Sequence, residues 1–264
     1  MASEVIARSE GRNVFGRDPG AYERGRPGHP DRVYEVLQER CGLRTGTSVL
    51  EIGPGTGQAT RRLLQLGAGP LVVVEPDEGL AAYLPTVVGA KPTIVRATLE
   101  EAELPGAVFD LAVAASSFHW VDAEAGLAAV HGALLPGGWW AMWWTHFGDR
   151  LRPDPFRAAI DPIVSGLMSS PGARGFAHDV DLGLEALASA GFGSCEHEFV
   201  RWDYEWDTAG IRALFASFSP IARLEEAERQ RILDAIARVA DDEFGGRVAK
   251  PILTSLYTAR KPPR

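Results

Sequence analysis

At 264 residues the chain is long enough for one large α/β domain with an insertion. Hydrophobic residues at 45% and charged residues at 23% are ordinary for a soluble globular protein, and a net charge of -8 argues against nucleic acid as the main partner. No segment offers the roughly 20 apolar residues of a membrane span, and the first residues lack a signal peptide's apolar core. Cys41 and Cys195 alone exclude a disulfide framework or a cysteine zinc site, so a cytoplasmic protein with reduced thiols and no metal is expected.

Residues 1–30 are predicted to form an arm. They are rich in Gly and Arg, carry Phe15 and Tyr22, and end in Arg24-Gly25-Arg26-Pro27-Gly28-His29-Pro30, which does not read as a core element. Pro30, Asp31 and the periodic apolar set Val33, Val36 and Leu37 then predict a helix to about residue 41.

The stretch Val49-Leu50-Glu51-Ile52-Gly53-Pro54-Gly55-Thr56-Gly57, followed by Gln58-Ala59-Thr60-Arg61-Arg62-Leu63-Leu64, reads as strand, tight turn and helix. Glycines at 53, 55 and 57 allow positive φ and leave no Cβ between backbone and ligand, while the helix start offers unpaired N–H groups. A dinucleotide fingerprint demands G-x-G-x-x-G, but the third glycine here is Gly57 and position 58 is Gln58. Glu51 would moreover repel a pyrophosphate and suits a cationic ligand. A second buried strand spans 71–75 and ends in Glu75, about 20 residues past the turn, where an acid accepts ribose hydroxyls. Pro76 and Asp77 start a helix through Leu84.

A short third strand at 93–96 leads to Thr98, Leu99 and Glu100, and a fourth at 111–115 stops at Ser116-Ser117-Phe118-His119-Trp120-Val121-Asp122. Open parallel sheets bind ligands beyond the carboxyl ends of their strands, so this loop is expected to face the same crevice as the glycine turn. A helix at 122–135 ends at Pro136-Gly137-Gly138, before the strand Trp139-Trp140-Ala141-Met142-Trp143-Trp144. Tryptophans on both faces predict burial on both sides, with Trp144, Thr145 and His146 at the carboxyl end facing substrate. Residues 147–181, which lack strands or a separate apolar core, read as a helical cap, and 207–245 as a further cap segment. A helix at 184–190, a β-like run at 195–206, two helices within 211–241 divided near Pro220, and a last strand at 248–260 complete the chain.

The pattern E-x-G-x-G-x-G from Glu51 to Gly57 resembles motif I of the class I S-adenosylmethionine (SAM) dependent methyltransferases. The run Ser-Phe-His-Trp-Val-Asp at 117–122 resembles the post-strand-four motif of small-molecule methyltransferases related to the ubiquinone-biosynthesis and trans-aconitate enzymes, and Leu-Pro-Gly-Gly at 135–138 resembles a further family turn. The resemblance implies a single α/β domain: a Rossmann-like, doubly wound, seven-stranded, mostly parallel sheet with an antiparallel last strand, an N-terminal lid and a helical cap.

It further implies SAM as cofactor, with S-adenosylhomocysteine as product, held by Tyr22, Arg26, Glu51, Gly53, Pro54, Gly55, Gly57, Gln58, Glu75, Pro76, Thr98, Leu99, Ser116 and Ser117. Thr98 stands where the family commonly has an Asp on the adenine amino group, so apolar contact with Leu99 is expected to share that task. Phe15, Trp120, Trp144 and His146 are the expected acceptor contacts. Tyr22 and Arg26 would close over the cofactor, Arg26 reaching SAM or an anionic acceptor. The implied reaction is methyl transfer to a small organic acceptor at oxygen, carbon or a carboxylate. His119 is the candidate general base where the acceptor carries a proton, and otherwise a shaping or hydrogen-bonding residue. A SAM-fold protein without methyl transfer and an NAD-dependent oxidoreductase are the alternatives, and monomer and homodimer are both open.

Overall fold

In the computed structural model, which describes residues 19–168 and 179–263, the apolar runs pair into one seven-stranded sheet. Its strands are β1 (Val49–Ile52), β2 (Leu71–Val74), β3 (Thr93–Val95), β4 (Phe109–Ala115), β5 (Leu134–His146), β6 (Gly193–Asp207) and β7 (Arg247–Arg260), in the order β3-β2-β1-β4-β5-β7-β6. The pairs from β3 to β5 are parallel, and β7 runs antiparallel between β5 and β6. The helices are α1 (Pro19–Gly25), α2 (Asp31–Glu39), α3 (Gln58–Gln65), α4 (Glu78–Val88), α5 (Ala123–Ala133), α6 (Pro155–Met168), α7 (Val180–Ser189), α8 (Thr208–Ala216), α9 (Ser219–Ala222) and α10 (Glu226–Phe244).

Strand order decides where a ligand can sit. From β1 the chain first moves to β2 and β3 on one side, then crosses to β4 on the other, so β1 and β4 flank the switch point. Ile52 and Ala114 are register partners there, which brings the glycine turn and the 116–122 loop to the same crevice. Every residue of β1 is buried, as parallel strands covered by helices on both faces require.

The tryptophan strand is covered on both sides, as expected. Trp140, Met142 and Trp144 join one apolar cluster with Leu50, Ile52 and Tyr257, whereas Ala141 and Trp143 join the other with Val49, Val73, Val113 and Leu256. Truncating a fully buried Trp such as Trp140 or Trp143 costs about 3–5 kcal/mol. The strand begins earlier than the sequence pattern predicts. Leu134 already pairs with Phe109, and the Pro-Gly-Gly segment is a bulge that shifts the register before Trp139 meets Leu111, with Gly137 at φ 82.

The two cap segments share one apolar core: Phe156, Ile160 and Val164 of α6 pack with Ile211, Leu214 and Phe215 of α8 and Leu233, Ile236 and Ala240 of α10. Trp206, Val248 and Ile252, from the far ends of β6 and β7, join them. The long β6–β7 pair overshoots the sheet and supplies the strands that the cap segments lack, so the cap core is non-local in sequence. Helix α7 instead covers the sheet, starting earlier than expected because Asp179 caps it by accepting from Leu182 N at 3.1 Å.

The described part of the arm is also more ordered than predicted. Gly25 lies against the backbone of α8, where a Cβ would stand 2.5 Å from Ala213 C and Leu214 N. Its carbonyl accepts from Trp206 Nε1 at 2.9 Å. The Glu23 carboxylate accepts from Arg61 of α3 and from the Tyr83 hydroxyl of α4 at 3.1 Å, so the arm straps the sheet domain to the cap. Phe15 lies outside the described residues, as does the Tyr22 side chain.

Candidate active site

The glycine turn adopts the conformation its sequence demands. Gly53, Gly55 and Gly57 have φ of 62, 57 and 81, in the left-handed region that side chains disfavour. A Cβ on Gly53 would meet Ser117 Cβ at 2.6 Å and one on Gly57 would meet Leu84 Cδ1 at 2.6 Å, so these two glycines let neighbouring elements approach. Gly55 differs: a Cβ there would have nothing within 4 Å, so its missing side chain keeps the crevice side of the turn open. Pro54 is buried and its carbonyl closes the turn by accepting from Gly57 N at 2.9 Å.

Two carboxyls lie under this turn. Glu51, at the end of β1, is fully buried, and neither of its oxygens has a hydrogen-bond partner among the described residues. Burial pushes its carboxyl up to about 7; the Thr60 hydroxyl nearby opposes this without reaching hydrogen-bonding geometry, and the Glu75 charge adds to it. Glu75 follows β2 and accepts from Gly55 N at 3.2 Å and from Asp77 N at 3.0 Å. Burial raises its pKa against the pull of those two backbone bonds. Each Glu75 oxygen still has a lone pair for a ligand. Two carboxyls and an open turn form a site for a ligand with hydroxyls and positive charge, and a poor one for a diphosphate. Pro76, half-buried, and Asp77, which caps α4 by accepting from Leu80 N at 2.9 Å, fix the position of Glu75.

Beyond β4 the backbone is strained. Ser116 has φ 54, unusual for a residue with a Cβ, and it is held there by its N–H on Trp143 O at 2.7 Å. The Ser117 hydroxyl donates to Ile52 O, tying this loop to the glycine turn. Thr98 and Leu99 fit their expected adenine contacts less well. The Thr98 hydroxyl donates to Glu101 at 2.9 Å, and Leu99 is packed in the core at 3% exposure, leaving little side chain for the crevice. Glu100 accepts from Asp122 N at 3.0 Å.

Past Ser117, His119 sits on a single 3-10 turn, Phe118–Trp120. Phe118 anchors that turn by packing edge-on against Trp140 at 5.2 Å. The His119 ring lies 4.5 Å from the Trp120 ring, and its Nδ1 accepts from Trp144 Nε1 at 3.2 Å. The ring is solvent-accessible in a densely walled hollow. Desolvation by that wall, with the Arg26 charge added, lowers its pKa, so the neutral ring prevails at pH 7.

Arg26 donates to Ser217 Oγ at 3.0 Å and lies over Phe147 and Phe218, 5.3 and 5.8 Å from their centroids. Its carbonyl accepts from Gln58 Nε2 at 2.7 Å, which links the arm to the first turn of α3. His146 is half-buried at the end of β5, opposite Leu253. The structure thus joins Gly53 to Ser117, Gly55 to Glu75 and Gln58 to Arg26, and groups His119 with Trp120 and Trp144.

The sequence reading missed Glu23, Ser217, Phe147 and Phe218, whose roles depend on cap docking. It also missed His29, whose Nδ1 is buried without a hydrogen-bond partner among the described residues, with the ring edge-on to Trp143 at 5.4 Å and burial favouring its neutral form. Among the described residues no cluster of His, Cys, Asp or Glu has metal-binding geometry, and no helix is long and apolar enough to cross a membrane.

Residues 50–142 match the family model described as a methyltransferase domain. An uncharacterized methyltransferase of Mycobacterium tuberculosis (strain H37Rv) is 35% identical over 141 residues, covering 52% of this chain and 54% of that protein. The chain therefore aligns with about half the length of the first curated relatives it matches. Among solved structures, a provisionally assigned type II methyltransferase from Anaeromyxobacter dehalogenans superposes with TM-score 0.66 at 20% identity, covering 90% of this chain and 99% of that one. A Haemonchus contortus phosphoethanolamine N-methyltransferase, solved with phosphomonomethylethanolamine and S-adenosylhomocysteine, gives TM-score 0.56 at 16% identity over 94% and 57%. At those identities the likeness speaks for the fold. The chain shares the Rossmann-like fold of these solved structures, and its segment from β1 into β5 is the part that matches the methyltransferase domain model.

Proposed function

We propose that this chain is a SAM-dependent methyltransferase acting on a small organic acceptor. The observation that carries the proposal is the buried, unpartnered Glu51 carboxyl directly beneath an open glycine turn, with Glu75 at the neighbouring strand end. An orphaned carboxyl destabilises a folded protein unless a ligand compensates it, and a ligand with an ammonium group does so. Gly55, with space above it, and Glu75, with lone pairs to accept ribose hydroxyls, fit the same molecule. Glu51 disfavours a pyrophosphate, which weighs against NAD, while Glu75 would suit the ribose of either cofactor. The Haemonchus enzyme, solved in complex with phosphomonomethylethanolamine and S-adenosylhomocysteine, shares the fold.

When bound, SAM supplies an electrophilic methyl carbon on a sulfonium that leaves as a neutral thioether. The task left to the protein is alignment and exclusion of water. Glu51, Glu75 and the 53–57 turn orient the cofactor, and Ser117 fixes the turn from below. His119, Trp120 and Trp144 wall the methyl end. Arg26, resting against the adjacent rings of Phe147 and Phe218, joins the arm to the cap over the acceptor. Aromatic walls, one cation and a net charge of -8 suit a small organic molecule of the kind methylated by the ubiquinone-biosynthesis and trans-aconitate group better than a nucleic acid.

Isothermal titration with SAM, S-adenosylhomocysteine and NAD in parallel tests the cofactor. Binding of both sulfur ligands and not of NAD is expected. Binding of NAD alone, or of none, refutes the proposal.

A further inference from the structure

Trp144 was expected only as an acceptor contact. Its indole N–H is donor only, and it points at His119 Nδ1 at 3.2 Å. The acceptor nitrogen must therefore be unprotonated, and the neutral ring carries its single proton on Nε2. Turning the ring over would set the indole N–H against a carbon and lose this hydrogen bond. Trp144 is itself immovable, wedged in the sheet's apolar cluster and edge-on to Tyr257 at 6.0 Å. The two residues are 25 positions apart, His119 on the 3-10 turn that follows β4 and Trp144 near the end of the neighbouring strand β5.

Resting on the methyltransferase reading, we infer that Trp144 is a positioning residue that fixes His119 as an Nε2–H hydrogen-bond donor, and that His119 and Arg26 together receive an anionic oxygen of the acceptor. A general base needs an available lone pair. The Nδ1 lone pair is taken by Trp144, and Nε2 has none while it holds its proton. His119 has no further protein partner among the described residues, and its ring is solvent-accessible, so the Nε2–H is left for a ligand. Arg26 lies near enough for its charge to act on His119, held by Ser217 and resting against the adjacent rings of Phe147 and Phe218.

Donor and cation match a carboxylate or similar oxyanion on an aromatic or apolar body. Such an acceptor has no proton on its attacking oxygen. Its lone pair forms the new O–C bond, the C–S pair returns to sulfur, and charge balances with no side chain accepting a proton. A neutral alcohol would need the base that this tautomer withholds.

The test is nitrogen-15 NMR of the imidazole signals in the full chain at pH 7 with S-adenosylhomocysteine present, comparing wild type with Trp144→Phe and assigning His119 by His119→Gln. One tautomer, with Nε2 protonated, is expected in the wild type, and a shift toward the Nδ1–H form in Trp144→Phe. A protonated Nδ1 in the wild type, or a Trp144→Phe spectrum unchanged at His119, overturns the lock. Benzoate should move the His119 Nε2–H signal while benzyl alcohol does not; equal movement by both, or by neither, overturns the oxyanion assignment. Calorimetry with S-adenosylhomocysteine on the same samples separates the two layers: no binding there sinks the methyltransferase reading, whatever the tautomer.

Discussion

Replacing Glu51 by Gln should make the ligand-free protein more stable at alkaline than at acidic pH, relative to wild type. In the fold the carboxyl titrates near 7, against 4.5 for the free group, because burial disfavours its charge. Between those values the folded chain holds a proton that the unfolded chain has released, so stability falls as pH rises. The loss is absent below 4.5 and complete above 7. At about 1.4 kcal/mol per pH unit the rise amounts to about 3 kcal/mol at most, part of it shared with Glu75.

Glutamine keeps the shape but not the titration. Whatever constant penalty its amide brings, the difference in stability between Glu51→Gln and wild type should move by up to about 3 kcal/mol in favour of the variant from pH 5 to pH 8. For a chain of this size that is roughly 6–12 °C in Tm. Thermal melts of both proteins without ligand, at pH 5, 6, 7 and 8, measure it, and the remaining titrating groups largely cancel in the difference. A Tm difference that is the same at pH 5 and pH 8 would refute the argument, because Glu51 would then be ionised in the fold at no cost. The same substitution should weaken SAM at pH 8, since the carboxylate that strains the empty fold is the one that receives the ligand's positive charge.

Glu75→Gln should lower SAM affinity about tenfold or more, roughly 1.4 kcal/mol, since it replaces an acceptor of ribose hydroxyls and sets an amide against a backbone N–H; calorimetry reads it, and unchanged affinity would remove Glu75 from the site. Gly57→Ala places a Cβ 2.6 Å from Leu84 Cδ1 at φ 81, so a loss of about 1–3 kcal/mol is expected, seen as a lower Tm. Asp154→Ala strands the ammonium of Lys250, 2% exposed and stacked on Phe156 at 5.7 Å, and should destabilise by about 2–4 kcal/mol, less the relief from losing its proton; burial already lowers the Lys250 pKa. A Tm unchanged by that substitution would show that the cap tolerates a lone buried amine. Gly25→Ala drives a Cβ into the α8 backbone at 2.5 Å, and faster proteolysis at the arm in this variant than in wild type is the expected outcome.

The antiparallel last strand was expected from the family resemblance; the strand–turn–helix at 49–65, Glu75 at the next strand end and the two-faced tryptophan strand are all legible along the chain. Each is written in contiguous residues, because glycine spacing, strand burial and helix capping act over a few bonds. Sequence order alone also placed the 116–122 loop opposite the glycine turn, since parallel βαβ connectivity forces a switch point. What it could not fix were contacts between elements far apart in the chain. Arg26 meets Ser217 across 191 positions, the cap draws its core from hairpin ends outside the cap segments, and Leu99 turns inward where a ligand contact was expected. The His119 tautomer belongs to the same class. The residue type allows base or donor, and only the neighbouring strand's Trp144 N–H, delivered by sheet register, selects one, because a proton on imidazole follows the partner it faces and that partner is a property of the packed sheet.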